Sequence, residues 1–187
     1  GMMVKKKPKT RSVKMVSINK ITRTRALDGN DLYERAHKNW LAGKLRVAFK
    51  LFLAAANIGV VDAFNDVAQF YHYGTGVVAD EDAALYWYHR AVREFEDSSS
   101  ANNIGCIWRD RGNLERALWW FKKAVAMGDC QSNLNIAKIY LDYKHNSRIA
   151  VGYLEKVAKS RSRYVTEGGK EEAAALLKQI SKRGGKV

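Results

Sequence analysis

Proline is nearly missing from this chain. Pro8 is the only one in 187 residues, so beyond it nothing breaks a helix or fixes a turn by proline chemistry. Cysteine is scarce as well. Cys106 and Cys130 make no metal-ligand pattern, and they suit free thiols in a reducing compartment better than a disulfide framework. No apolar run approaches the roughly 18 residues that a membrane span needs. The richest stretch, 51–61, is short and carries Asn57. Acidic residues are absent from 1–27, and this opening also lacks the apolar run of a signal peptide. Gly1 reads as an expression scar and Met2 as the native start. These absences point to a cytoplasmic protein.

Hydrophobic residues make up 47% of the chain, enough for a packed core. The net charge of +14 is unevenly placed. Residues 1–27 hold nine Lys/Arg, namely Lys5, Lys6, Lys7, Lys9, Arg11, Lys14, Lys20, Arg23 and Arg25. The remainder carries 24 basic against 19 acidic residues. A mildly basic domain therefore follows a strongly basic leader.

Four segments repeat one another, beginning at Ala48, Ala84, Ala117 and Ala150, at intervals of 36, 33 and 33 residues. An upstream set recurs with them: Arg35-Ala36, Val67-Ala68, Ile104-Gly105 and Ile136-Ala137. In three copies an aromatic follows three residues later, as Tyr71, Trp108 and Tyr140. Small, aromatic and small residues at i, i+4 and i+7 lie on one helical stripe. Ala84, Tyr88 and Ala91 form one such stripe, and Ala117, Phe121 and Ala124 another. The small residues admit a neighbouring helix and the ring fills the space between. One helical pair cannot bury its apolar face alone, so pairs must stack. Gly43, Gly112 and Gly74-Thr75-Gly76 fall inside the pairs, while Gly59 and Gly128 end them. Asp80 and Asn113 stand where second helices need caps, and Ser98-Ser99-Ser100 is placed to cap the helix after it.

The run Ala63…Val67-Ala68…Tyr71…Gly74-Thr75-Gly76-Val77-Val78-Ala79-Asp80…Ala84…Trp87-Tyr88…Ala91 closely resembles the Sel1-like repeat, a tetratricopeptide relative with a longer loop. Residues 101–128 resemble the shorter tetratricopeptide form, with Arg111-Gly112-Asn113 at the turn. The terminal copies depart further, with Asn39 at the aromatic position of the first and Lys144-His145-Asn146 at the turn of the fourth. The resemblance covers residues 30–160. It implies an all-α, right-handed solenoid of about four helix-turn-helix repeats (about 28–60, 61–97, 98–128 and 129–160). Residues 161–187 would add a capping helix and tail, whose buried face is read as Ala174, Leu177 and Ile180 with Ala173 and Leu176 beside it. About nine helices are expected in all.

The resemblance also implies a non-catalytic adaptor or scaffold, of a kind often bacterial, whose first helices line a concave groove. The residues expected to face it are Tyr33, His37 and Trp40, then Asn65, Gln69 and His72, then Asn102, Cys106 and Arg109, and finally Leu134, Lys138 and Leu141. Tyr33, His37, Asn65, Gln69, His72, Asn102, Arg109 and Lys138 form the peptide-binding set. Asparagine amides suit the backbone of an extended peptide, and Arg109 with Lys138 suits a carboxylate or acidic side chain.

Other constellations fall away. Gly74-Thr75-Gly76 lacks the strand and the Lys-Ser/Thr pair of a phosphate loop. His37, His72, His89 and His145 are scattered rather than set at metal-ligand spacing. No nucleophile motif is present, so no catalytic role and no cofactor are expected. Tyr86 and Trp119 share a repeat position that accepts Lys50 elsewhere, which predicts an exposed apolar patch. An alternative partner class remains open: Lys5, Lys6, Lys7, Lys9 and Arg11 are suited to nucleic acid or an anionic surface.

Overall fold

The structure is a computed structural model that describes residues 28–161 and 165–184. Among these residues there are nine helices and no strand. They run α1 (Gly29–Leu41), α2 (Leu45–Asn57), α3 (Asp62–Tyr73), α4 (Glu81–Phe95), α5 (Ser98–Asp110), α6 (Leu114–Ala126), α7 (Ser132–Asp142), α8 (Ser147–Ala158) and α9 (Glu167–Gly184). Each helix packs on the one before and the one after. The result is an all-helical repeat solenoid of four helical pairs closed by α9.

Short polar side chains start most of these helices. Asp80 accepts from the Ala83 amide at 2.9 Å, Asn113 from Arg116 at 3.1 Å, and Asn146 from Ile149 at 3.1 Å. Each satisfies one amide that has no partner within its helix. At α5 the cap is Asp97, which accepts from the Ser100 amide at 2.9 Å. The expected serine cap is thus displaced. Ser98 to Ser100 form the first turn, and Ser100 is fully buried.

The small-aromatic-small stripes carry the core. Ala84, Tyr88 and Ala91 are buried, as are Ala117, Phe121 and Ala124. Between pairs the rings interlock. Phe49 of α2 meets Tyr71 of α3 edge-on with centroids 5.1 Å apart, and within the fourth pair Tyr140 stacks on Tyr153 at 6.1 Å. Full burial of one such ring contributes about 1.5–3 kcal/mol.

The loop after α3 turns sharply back on the preceding pair. Gly76 has φ +70°, and a Cβ there would lie 2.6 Å from the carbonyl carbon of Leu45. Only glycine supplies both the left-handed backbone and the missing atom. This close approach sets Thr75 beside the first-helix face.

The closing helix buries a face one residue away from the one expected. Ala173 is buried and Leu176, Leu177 and Ile180 pack with it against Leu134, Ala137, Leu154 and Val157. Ala174 is exposed. Heptad-like spacing allowed either alanine, and contact with α7 and α8 selects Ala173.

Candidate functional site: the first-helix face

Helices α1, α3, α5 and α7 carry the residues expected to line the groove. Several of these residues hold the repeats together instead. Asn65 on α3 donates through Nδ2 to Asp97 Oδ2 and Ser100 Oγ, both at 2.9 Å. One repeat later, Asn102 Oδ1 accepts from Ser132 Oγ and Asn135 Nδ2, both at 2.8 Å. Lys138 Nζ pairs with Glu172 Oε1 of α9 at 2.6 Å. On the first repeat, Tyr33 of α1 and the Asp66 carboxylate of α3 act on each other. Each first helix is thereby clasped to the next one by a polar side chain. The partners stand about one repeat apart in sequence.

This ladder changes how the predicted residues work. Asn65 is saturated, because both amide hydrogens are taken and its Oδ1 accepts from Gln69 Nε2. Lys138 is held by the closing helix, and Arg109 Nε is paired with Asp110 Oδ1 at 2.9 Å. The two expected carboxylate-gripping cations therefore already have anions within the chain. His72 leans on Tyr73, with ring centroids 4.5 Å apart, and its Nδ1 lies 3.5 Å from the Tyr88 hydroxyl. Burial lowers the His72 pKa, against the nearby charges of Glu81 and Asp110.

What the face presents outward is a row of large side chains at the C-terminal ends of its helices. Trp40 on α1 is 47% exposed, Tyr73 on α3 is 66% exposed, and Tyr143 at the end of α7 is 57% exposed. Arg109 occupies the corresponding place on α5. The members of the row feel one another. The Tyr73 hydroxyl is raised by burial, then by Cys106 and Asp110, with Arg109 opposing. Burial lowers the Arg109 value, but Asp110, Cys106 and Tyr143 outweigh it and leave it raised. Only Arg109 of this row belonged to the expected binding set, with Trp40 named beside it. Tyr73 stands five residues after Ala68 and Tyr143 six after Ala137, so strict repeat register did not align them.

A pocket of about 240 Å³ opens between Trp40 and Tyr73, lined also by His37, Phe52, Asp66, Gln69, Phe70 and Thr75. Asp66 was not among the expected residues, although it shares a helical face with Gln69 and Tyr73. Its Oδ2 is buried and has no hydrogen-bond partner among the described residues. His37 Nε2 stands 3.9 Å away, too far for one. Burial raises the Asp66 pKa, while Tyr33 and His37 pull it down.

The opposite side of the stack holds the predicted aromatic patch. Tyr86 and Trp119 are exposed. A second pocket of about 270 Å³ is lined by His89, Trp108, Arg116, Trp119 and Trp120. Its rings are already covered by the chain's own cations. Arg116 lies 4.4 Å from the Trp108 centroid and Lys123 lies 5.1 Å from that of Trp119. Lys5, Lys6, Lys7, Lys9 and Arg11 lie outside the described residues. No helix among the described residues is long and apolar enough to cross a membrane.

With this geometry in hand, the chain can be placed among known proteins. The Sel1 repeat model matches residues 62–94 and 107–129. These are the second pair and most of the third. No curated protein matches the chain. Among solved structures, a Sel1 repeat protein from Oxalobacter formigenes is 20% identical, with a TM-score of 0.59, and the match covers 70% of this chain and 57% of that one. A protective antigen of uropathogenic Escherichia coli strains, displaying an SLR fold, is 22% identical with a TM-score of 0.59, over 71% of this chain and 30% of that one. The chain thus spans only part of the length of these two. MamA is 15% identical with a TM-score of 0.58, over 73% of this chain and 80% of that one. At these identities the likeness is one of fold.

Proposed function

Taking as premise that this chain is a Sel1-like repeat protein, we propose that it is a non-catalytic scaffold that captures an extended segment of a partner protein along its first-helix face. Repeats of this kind generally serve as protein-interaction scaffolds. The observation that carries the reading here is the row of exposed Trp40, Tyr73 and Tyr143 with half-buried Arg109 between them, one residue per repeat. Tryptophan, tyrosine and arginine are the side chains that most often dominate binding energy, the first two because they bury much area at low entropic cost. Three large aromatics left in water on one face, with no cation among the described residues laid over them as Lys123 is over Trp119, are supported best by a partner that covers them.

The polar ladder supports the same reading indirectly. A face whose helices are clasped at every step is preorganised, so little ordering cost falls on binding. Engagement by this mode is read side chain by side chain along the row.

The experiment is a peptide-display selection against the full chain, followed by affinity measurement on substituted proteins. Tyr73→Ala and Trp40→Ala are each expected to weaken the selected peptides by about tenfold or more, as loss of a hot-spot residue costs about 2 kcal/mol. Lys138→Ala is expected to change affinity little, since Lys138 is committed to Glu172. Selected peptides that bind both aromatic variants as tightly as the parent would sink the proposal.

A further inference from the structure

The pocket between Trp40 and Tyr73 has a chemistry that the row alone does not explain. Its walls are five rings, from His37, Trp40, Phe52, Phe70 and Tyr73. One carboxylate, Asp66, lines it, and its buried Oδ2 has no donor among the described residues. Among the described residues no lysine or arginine lines it, in a chain whose net charge is +14. The surroundings add to the negative field, since Asp62 and Glu34 act on the neighbouring Tyr33 together with Asp66.

A second acceptor is fixed by the ladder. Asp97 is a carboxylate and can only accept, so Asn65 must turn its Nδ2 toward it and keep Oδ1 for a donor. Gln69 supplies that donor through Nε2. Its Oε1 is consequently the polar atom that Gln69 retains for a ligand. Two acceptors and a ring of aromatic faces make a receptor for a cation that also donates hydrogen bonds.

We infer that this pocket receives a primary ammonium group, the end of a lysine side chain on the captured segment. The inference rests on the groove reading and names the chemistry of its partner. Size agrees, because about 240 Å³ falls below the roughly 300 Å³ at which pockets begin to hold drug-sized ligands, and it suits one side chain. An unbranched alkyl stem lies against the rings while the ammonium meets the Asp66 carboxylate and Gln69 Oε1. A quaternary ammonium has no donor and would leave both oxygens unbonded. A guanidinium gains most from a fork to both carboxylate oxygens, and Tyr33 already acts on the Asp66 carboxylate. The tryptophan pocket on the opposite side lacks this character, because Arg116 and Lys123 already cover its rings.

The test is a ¹H–¹⁵N NMR titration of the full chain with three probes of similar size: n-butylammonium, tetramethylammonium and n-butanol. Butylammonium is expected to shift the Trp40 indole signal and the amides of His37, Gln69 and Thr75 in a saturable way. The alcohol and the quaternary ion are expected to bind at least tenfold more weakly, a comparison made on the unsubstituted protein. Asp66→Asn is expected to weaken butylammonium by tenfold or more while leaving the fold and the Trp119 signal unchanged. Equal binding of the three probes, or undiminished binding to Asp66→Asn, would overturn the inference. The selected peptides separate the two claims. Peptides that need Tyr73 but tolerate norleucine in place of every lysine uphold the groove and overturn the ammonium site.

Discussion

Gly105 offers a calculation in which two opposing effects can be weighed. It lies in the middle of α5, a helix interior where glycine costs about 1 kcal/mol relative to alanine. On propensity alone, Gly105→Ala should stabilise the protein by about that amount. The packing says otherwise. A Cβ at this position would sit 2.6 Å from Phe121 Cε1, 2.7 Å from Cδ1 and 3.1 Å from Cγ. Phe121 is fully buried, among Ala117, Leu118, Ile136 and Ile139, so its ring has nowhere to retreat. Overpacking of this kind costs about 1–3 kcal/mol. Contacts this short belong to the upper part of that range, about 2–3 kcal/mol, so the clash should win by about 1–2 kcal/mol. That corresponds to a fall in Tm of a few degrees for a chain of this length. Gly152 is the control. It lies within α8, and a Cβ there would meet no atom within 4 Å, so Gly152→Ala should raise stability by up to about 1 kcal/mol. Urea denaturation of both variants reads the two signs side by side. The clash itself is isolated by adding Phe121→Leu, which trims the ring. The double variant should be more stable than the two single losses summed predict, a coupling of about 0.5 kcal/mol or more. A stabilised Gly105→Ala, or strictly additive losses, would refute the packing argument.

Three further outcomes follow from the same structure. Asn65→Ala removes both donors of the clasp to Asp97 and Ser100 and should cost about 1–3 kcal/mol in urea denaturation with an unchanged slope; a loss within about 0.3 kcal/mol of zero would show that the clasp is only incidental. Burial holds the Asp66 carboxyl above its ordinary range, so the folded chain keeps that proton to higher pH than the unfolded chain, and folding is disfavoured as pH rises through that interval. Asp66→Asn should therefore melt higher than the parent at pH 7 by the equivalent of about 1 kcal/mol and lose the advantage below about pH 4, whereas an advantage that grows on acidification would contradict the sign. Burial, aided by Asp110 and Asp129 and opposed by Arg109, raises the Cys106 thiol, so iodoacetamide should label Cys106 more slowly than a free thiol at neutral pH, with the rate still climbing above about pH 8.5, where that of a free thiol levels off; rapid labelling at pH 7, read by peptide mapping, would count against it.

The architecture was legible because its signal is local and repeated. Ala84, Tyr88 and Ala91 declare a helical stripe by spacing alone, and the glycines and capping residues mark where each helix stops. Where two choices were nearly equal in spacing, only contact decided. Ala173 and Ala174 are chemically identical neighbours on α9, and the side chains of α7 and α8 select between them. The same limit applies to the start of α5. Ser98 and Asp97 are both good caps, and the aspartate wins because its carboxylate also receives Asn65 from the preceding repeat.

The binding face shows a deeper version of this limit. Sequence period assigns a residue to a face but does not say whether its polar atoms are spent. Asn65 and Lys138 lie on first helices, as expected, and the stack uses them because a polar group between repeats must find a partner. The partners, Asp97 and Glu172, sit 32 and 34 residues away. Only the superhelical stacking brings them within reach. The atoms left over are therefore the informative ones. Asp66 Oδ2 is such an atom, and so is the outward ring of Tyr73. Both become identifiable only after the hydrogen bonds of the neighbouring residues have been counted. A site on a repeat solenoid is in this sense a remainder: the repeat consumes what it needs to stack, and function resides in the side chains that the stacking does not use.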